Sequence, residues 1–206
     1  MNKFELIIYK LIAREIEIKE FEQWVYSEKD LESLLCSDEY LDLTSLSYKQ
    51  SSSLYEAEKI LKPHIDIGKY YEWYLRRVLQ KVINHPSDAH KYIEKCYDMY
   101  CDGYGFLDNL GLGYGLAVAV PPSEYSADSW DNLESPEQKK LVESFYPSVR
   151  EEAEKVINWL DTGKIVLTGH DGELQGIQYT DSRTPEEKDP TAYKVATPTK
   201  KWWKLW

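Results

Sequence analysis

No lysine or arginine occurs between Asp98 and Gln138, although that stretch holds eight carboxylates: Asp98, Asp102, Asp108, Glu124, Asp128, Asp131, Glu134 and Glu137. One-sided charge of this kind argues against a nucleic acid as direct ligand, because such affinity rests on lysine and arginine displacing condensed counterions. The whole chain leans the same way, with 36 acidic against 25 basic residues and a formal net charge of −11. Long apolar runs are missing too; none approaches the roughly 20 residues that a membrane-spanning helix needs. Residues 4–12 come nearest, but Glu5 and Lys10 interrupt them and no small-residue cleavage site follows, so no secretory leader is expected. Cysteine is scarce, and Cys36, Cys96 and Cys101 are odd in number. They are expected to be small, buried apolar side chains in a reducing cytoplasm.

Signatures of catalysis are equally thin. There is no Gly-x-Ser-x-Gly nucleophile elbow, and His64, His85, His90 and His170 stand in no recognised catalytic context. His85, His90, Cys96 and Cys101 lie within seventeen residues, yet their spacing lacks the paired pattern of a zinc site, so no metal is expected. The run Gly111-Leu-Gly-Tyr-Gly115 lacks the third-glycine spacing of a dinucleotide fingerprint and the lysine of a P-loop. Acidic neighbours would repel a phosphate, and a tight turn or close backbone packing is the expectation there. Carboxylate pairs such as Asp98 with Asp102, or Asp128 with Asp131, could support acid–base hydrolysis. A chain with 36 acidic residues offers many such pairs, so the reading is of a non-enzyme without cofactors.

What the chain does contain is helical periodicity. Phe4, Ile7, Ile8, Leu11, Ile12 and Ile16 recur at three- and four-residue spacing, as do Ile67, Tyr70/Tyr71, Tyr74/Leu75, Val78/Leu79 and Val82/Ile83. The second series should end at His85-Pro86, since the residue before proline avoids α geometry. Ser87 opens a further helix with Ile93, Cys96, Tyr97 and Tyr100 inward and an acidic ridge of Glu94, Asp98 and Asp102 at four-residue spacing. Like charges so spaced destabilise a helix by a few tenths of a kcal/mol each, roughly. Ser135-Pro-Glu-Gln and Ser148 to Glu151 read as capped starts of two more helices, the second closed by Gly163. Lys164 to Thr168 and Leu174 to Thr180 are β-prone, with His170-Asp171-Gly172 as turn. The expected fold is mainly α: a helical lobe over 1–102 and a helical lobe with a small antiparallel β-hairpin over 103–206, the glycine-rich stretch from Gly103 forming the seam. The closing Lys-Lys-Trp-Trp-Lys-Leu-Trp reads either as tryptophans docked on the domain or as a short interfacial membrane anchor.

Aromatics are plentiful, with 17 tyrosines and 7 tryptophans, more than a core of this size easily encloses. Surface tyrosine and tryptophan are favoured contact residues. The candidate partner-binding residues are therefore Glu94, Asp98, Asp102, Tyr104, Asp108, Glu124, Tyr125, Asp128, Trp130 and Asp131. Tyr97 is either a further anchor or part of the core.

Glu20-Phe-Glu-Gln-Trp-Val-Tyr26, Leu31-Glu-Ser-Leu-Leu35, Tyr40-Leu-Asp-Leu43, Phe106 to Leu116 and Trp159 to Ile165 carry a resemblance to small cytoplasmic proteins encoded beside bacterial polymorphic or contact-dependent growth inhibition toxins. The likeness spans much of the chain, in fold-type motifs rather than active-site signatures. It implies an immunity protein that neutralises a toxin C-terminal domain by occluding or distorting its active site. Nuclease toxins are commonly basic, so an acidic inhibitor can mimic their substrate and gain rapid encounter. An adaptor binding a basic host partner, and a carboxylate-dependent hydrolase, are the other readings.

Overall fold

The computed structural model describes residues 3–50, 52–170 and 176–188. Apolar residues recurring every three or four positions produce eleven α-helices and one two-stranded antiparallel sheet among the described residues. The mainly α expectation with a C-terminal hairpin holds. Two compact units divide the chain, residues 1–74 and 75–206.

The first unit contains α1 (Lys3–Ile12), α2 (Ile18–Ser27), α3 (Leu31–Leu34), α4 (Ser37–Ser45), α5 (Ser52–Leu61) and the start of α6 (Ile67–Asn84). Ile8, Leu11, Phe21, Leu31, Leu43, Ala57 and Leu61, all fully buried, form its core. Phe21 and Trp24 stack obliquely at 5.6 Å, and Tyr48 donates its hydroxyl to the carbonyl of Leu43 at 2.7 Å. Burial drives the Tyr48 phenol far above its usual pKa. Cys36 starts α4 and is exposed; its N–H donates to the Glu39 carboxylate at 2.9 Å in a capping box. Cys101 is exposed as well, so only Cys96 meets the expectation of burial. There the apolar surroundings push the thiol up to about 12.

The second unit holds the rest of α6, α7 (Ala89–Cys101), α8 (Leu116–Ala119), α9 (Ser135–Phe145), α10 (Ser148–Asp161), strands β1 (Ile165–His170) and β2 (Ile177–Asp181), and α11 (Pro185–Lys188). The seam expected at Gly103 lies inside this unit, and the division falls after Tyr74 instead. The reason is local. Asn109–Gly115 form a π-helical stretch leading into α8, and it packs directly on α7 through its glycines. A Cβ on Gly111 would sit 2.6 Å from Cβ of Tyr100, and one on Gly115 would sit 2.7 Å from the Ile93 carbonyl oxygen. Close backbone packing is thus what these glycines supply, as expected of them. No phosphate loop exists here, because the segment is helical and these two glycines face a neighbouring helix.

Helix starts differ from the sequence reading by a residue or two. Glu134, not Ser135, caps α9, with Glu137 reaching back to the Glu134 N–H at 3.3 Å. Pro147 precedes α10 without a side-chain cap, and α7 begins at Ala89 rather than Ser87. Gly163 closes α10 as expected, with φ of 67° in the left-handed region. The strands pair Ile165 with Asp181 and His170 with Ile177, with a bulge between Leu167 and Gly169. Asp171 and Gly172 of the expected turn, and the Lys200–Trp206 tail, lie outside the described residues.

Candidate functional site

The corner between α6 and α7 sets the site. His85 stands in the left-handed region, φ 48°, where a helix is leaving its last turn ahead of Pro86. Its ring lies flat on Tyr146, with centroids 3.7 Å apart and planes within 13°. The Tyr146 hydroxyl donates to the Val82 carbonyl at 2.7 Å, and Arg150 Nε donates to the Ile83 carbonyl at 3.0 Å. Side chains from residues 146 and 150 thus satisfy carbonyls that the end of α6 leaves open.

At the second residue of α7, His90 repeats the arrangement against Trp130, at 4.3 Å and 13°. Trp130 opens a short 3₁₀ turn, Trp130–Asn132. That turn is pinned by Gln138 Nε2 donating to the Trp130 carbonyl at 3.1 Å and by Asn132 donating to the Asp128 carboxylate. Both histidines line a cavity of about 490 Å³, together with Ser87, Trp130, Ser135, Gln138, Lys139 and Glu143. Glu143 Oε1 stands 3.7 Å from His85 Nε2.

A second group of carboxylates lies along α7, beyond the cavity lining. Burial pushes the Glu94 carboxyl above its usual pKa, and the charges of Asp98 and Asp131 push it the same way. Asp98 is on the same helix, whereas Asp131 belongs to the Trp130 turn, so the two ends of the lysine-free segment converge here. His90 is held below its ordinary pKa, first by burial and then by Lys91, with Asp88 and Asp131 acting in the opposite sense. The balance favours the uncharged ring.

Glu94, Asp98, Trp130 and Asp131 are therefore brought together, with the exposed Glu124 and the half-buried Tyr125 in the loop that runs through Asp128 to Trp130. Lys140 Nζ lies 5.9 Å from the Tyr125 ring centroid. The acidic ridge on α7 is not wholly uncompensated, since Lys95 Nζ is 3.3 Å from Asp98 Oδ2. Two further expected residues differ in exposure, Tyr104 being buried and Asp108 half-buried. Tyr104 is only 3% exposed, packed beside Phe106 in the core, because the chain turns inward after α7 instead of running along the surface. Asp108 spends its carboxylate locally, accepting the Asn109 N–H at 2.8 Å. Asp102 is exposed but contributes its backbone carbonyl to the N–H of Ile177 at 3.0 Å. Tyr97 is half-buried, its Cβ within 2.8 Å of where a Gly115 Cβ would stand.

For function, the sequence reading weighed His85 and His90 only as metal or catalytic residues and Ser87 only as a helix start, and it passed over Lys139 and Glu143. The one local signal was a histidine before proline at a helix end. Among the described residues no three His, Cys, Asp or Glu side chains converge as metal ligands would, and no helix is long and apolar enough to cross a membrane.

Fold and site together define a mainly α protein whose second unit carries a histidine- and tryptophan-walled cavity with Glu143 in its lining. No protein-family model, curated protein or solved structure matches the chain.

Proposed function

We propose that this chain is a binding protein that neutralises a basic toxin domain, in the manner of a bacterial immunity protein. The observation that carries the reading is the convergence of Glu94, Asp98 and Asp131 around Trp130. Burial is the first cause of the raised Glu94 pKa, and the charges of Asp98 and Asp131 add to it, an unfavourable arrangement in an isolated protein. A cationic partner reverses that sign by supplying the missing counter-charge. The net charge of −11 gives the long-range attraction that speeds encounter with such a partner. Trp130 and Tyr125 supply aromatic area that can be desolvated on contact and slow dissociation. A nuclease is the favoured class of toxin, since its substrate groove is built for a polyanion. No catalytic residue or cofactor is needed, because occlusion is the mechanism.

The test is co-purification with the C-terminal domain of the secreted toxin encoded next to this chain, at low and at high salt. Retention at low salt that weakens as salt rises, together with loss of toxin activity, is expected. Absence of retention at low salt, or the absence of any neighbouring toxin-like domain, removes the reading.

A further inference from the structure

We infer that the cavity between His85 and His90 receives one arginine side chain of the bound partner as its anchor. This rests on the binding reading above and assigns the chemistry of the same site.

The dimensions come first. At about 490 Å³ the cavity falls within the roughly 300–1,000 Å³ typical of ligand pockets, ample for one extended side chain. Its walls are set rather than loose. Each imidazole has one face covered by an aromatic ring, Tyr146 on His85 and Trp130 on His90, and Trp130 is itself tied down through its carbonyl by Gln138. A prearranged wall reduces the ordering cost of binding.

The chemistry then selects the occupant. A guanidinium is planar, always charged, donates five hydrogen bonds and stacks on aromatic rings. It therefore calls for a carboxylate, neutral acceptors and a flat π wall. Glu143 supplies the first. Ser87, Ser135 and Gln138 supply the second, and Gln138 has its Nε2 already committed to the Trp130 carbonyl, so its oxygen is the atom left to accept. Trp130 supplies the third. Among the described residues Lys139 is the one lysine or arginine in the lining and is exposed, so its ammonium can stay in water at the rim, while Asp131 adds negative charge near His90.

An anion is the natural rival, because α9 starts at the cavity wall and helix N-termini attract negative charge. That end is already occupied. The Glu137 carboxylate accepts the Glu134 N–H at 3.3 Å and the Glu134 carbonyl accepts the Glu137 N–H at 2.8 Å, so the chain provides its own carboxylate there.

The experiment uses the full chain, isotope-labelled and titrated with N-acetyl-arginine amide, N-acetyl-citrulline amide and inorganic phosphate. The expected result is a saturable millimolar response to the arginine probe at the Trp130 indole N–H and the His85 and His90 ring resonances. The citrulline probe keeps the shape without the charge and should bind about tenfold more weakly or worse, the scale of one charge-assisted hydrogen-bonded contact. Glu143→Gln should weaken the arginine response by a similar factor. Should that variant melt, the comparison of the two probes on the native chain decides alone. Equal binding of arginine and citrulline, a stronger response to phosphate, or no response at these rings overturns the inference. If the arginine probe fails while a basic toxin domain is still retained at low salt, the anchor falls and the binding reading stands. If the probe binds and no toxin domain is retained, the cavity remains an arginine site and the toxin reading falls.

Discussion

The imidazole of His90 and the indole of Trp130 lie face to face, 4.3 Å between centroids, and this stack joins α7 to the loop that carries Asp128 and Asp131. It also removes water from the imidazole, which is why burial leads the causes that lower its pKa. A lowered histidine value makes its stability contribution fully present above the unfolded value of 6.5, and lost as pH falls through the folded value. Trp130→Ala opens the ring to solvent. The His90 titration midpoint, followed by the Cε1–H resonance, is then expected to rise towards the ordinary histidine value, and the mutant should lose less stability than the parent between pH 7 and pH 5. An unchanged midpoint would mean that the stack does not desolvate the ring.

The glycines of the π-helical stretch give a contrast within five residues. A Cβ at Gly115 meets the Ile93 carbonyl oxygen at 2.7 Å and the Tyr97 Cβ at 2.8 Å, whereas nothing lies within 4 Å of one at Gly113. Gly115→Ala must push α7 away, an overpacking expected to cost about 1–3 kcal/mol. Gly113→Ala meets open space at a helical position and should stabilise by roughly 0.5–1 kcal/mol. Thermal melts of the two variants should therefore move in opposite directions. Equal shifts would count against the close approach of the two helices.

Much of the fold was legible because it depends on local pattern. The stripe from Ile67 to Ile83, the stop at His85-Pro86, the Gly163 cap and the two β-prone runs all express preferences of neighbouring residues. The site was only half legible, because it depends on pairs far apart in the chain. His90 and Trp130 are forty positions apart and His85 and Tyr146 sixty-one; no periodicity links either pair. Tyr104 was misplaced for a similar reason: between glycines, a tyrosine entering the core and one on the surface have the same neighbours. The convergence of Glu94 with Asp131 could be posed from charge alone, but it took the packing of the Trp130 turn against α7 to answer it.

At the C-terminal end of the described residues, one carboxylate of α11 gathers three donors. Glu187 accepts Lys164 Nζ at 2.7 Å, the Thr184 N–H at 3.0 Å and Trp159 Nε1 at 3.4 Å. The Lys164 hydrogen bond leads the causes that lower its pKa to about 2. A depressed carboxyl contributes stability present above its unfolded value and lost as pH falls through the folded one. Glu187→Gln should thus melt at a lower temperature than the parent at pH 7, and the difference should shrink as pH is taken down to about 2. A difference that persists at that pH would assign the effect to packing of α11 rather than to the charge.

Glu94 reverses this sign and separates binding from solubility. Its pKa is raised, first by burial and then by Asp98 and Asp131, so its favourable contribution is fully present below the unfolded value and lost as pH rises through the folded one. The ionised group is therefore a liability at pH 7. Glu94→Gln is expected to raise the melting temperature there by about 1–2 °C, a fraction of a kcal/mol for a chain of this size, and to have no such effect below pH ~4, where the carboxyl is protonated anyway. The same substitution removes one charge from the field that steers a cationic partner. Association with a basic toxin domain should slow by about two- to fivefold at low salt and converge with the parent at high salt. A group that weakens the fold while strengthening the encounter is what a binding surface retains and a merely soluble surface has no reason to keep. If Glu94→Gln raises the melting temperature and leaves the association rate unchanged, Glu94 lies outside the contact, and the acidic convergence at Trp130 has to be explained by something other than a basic partner.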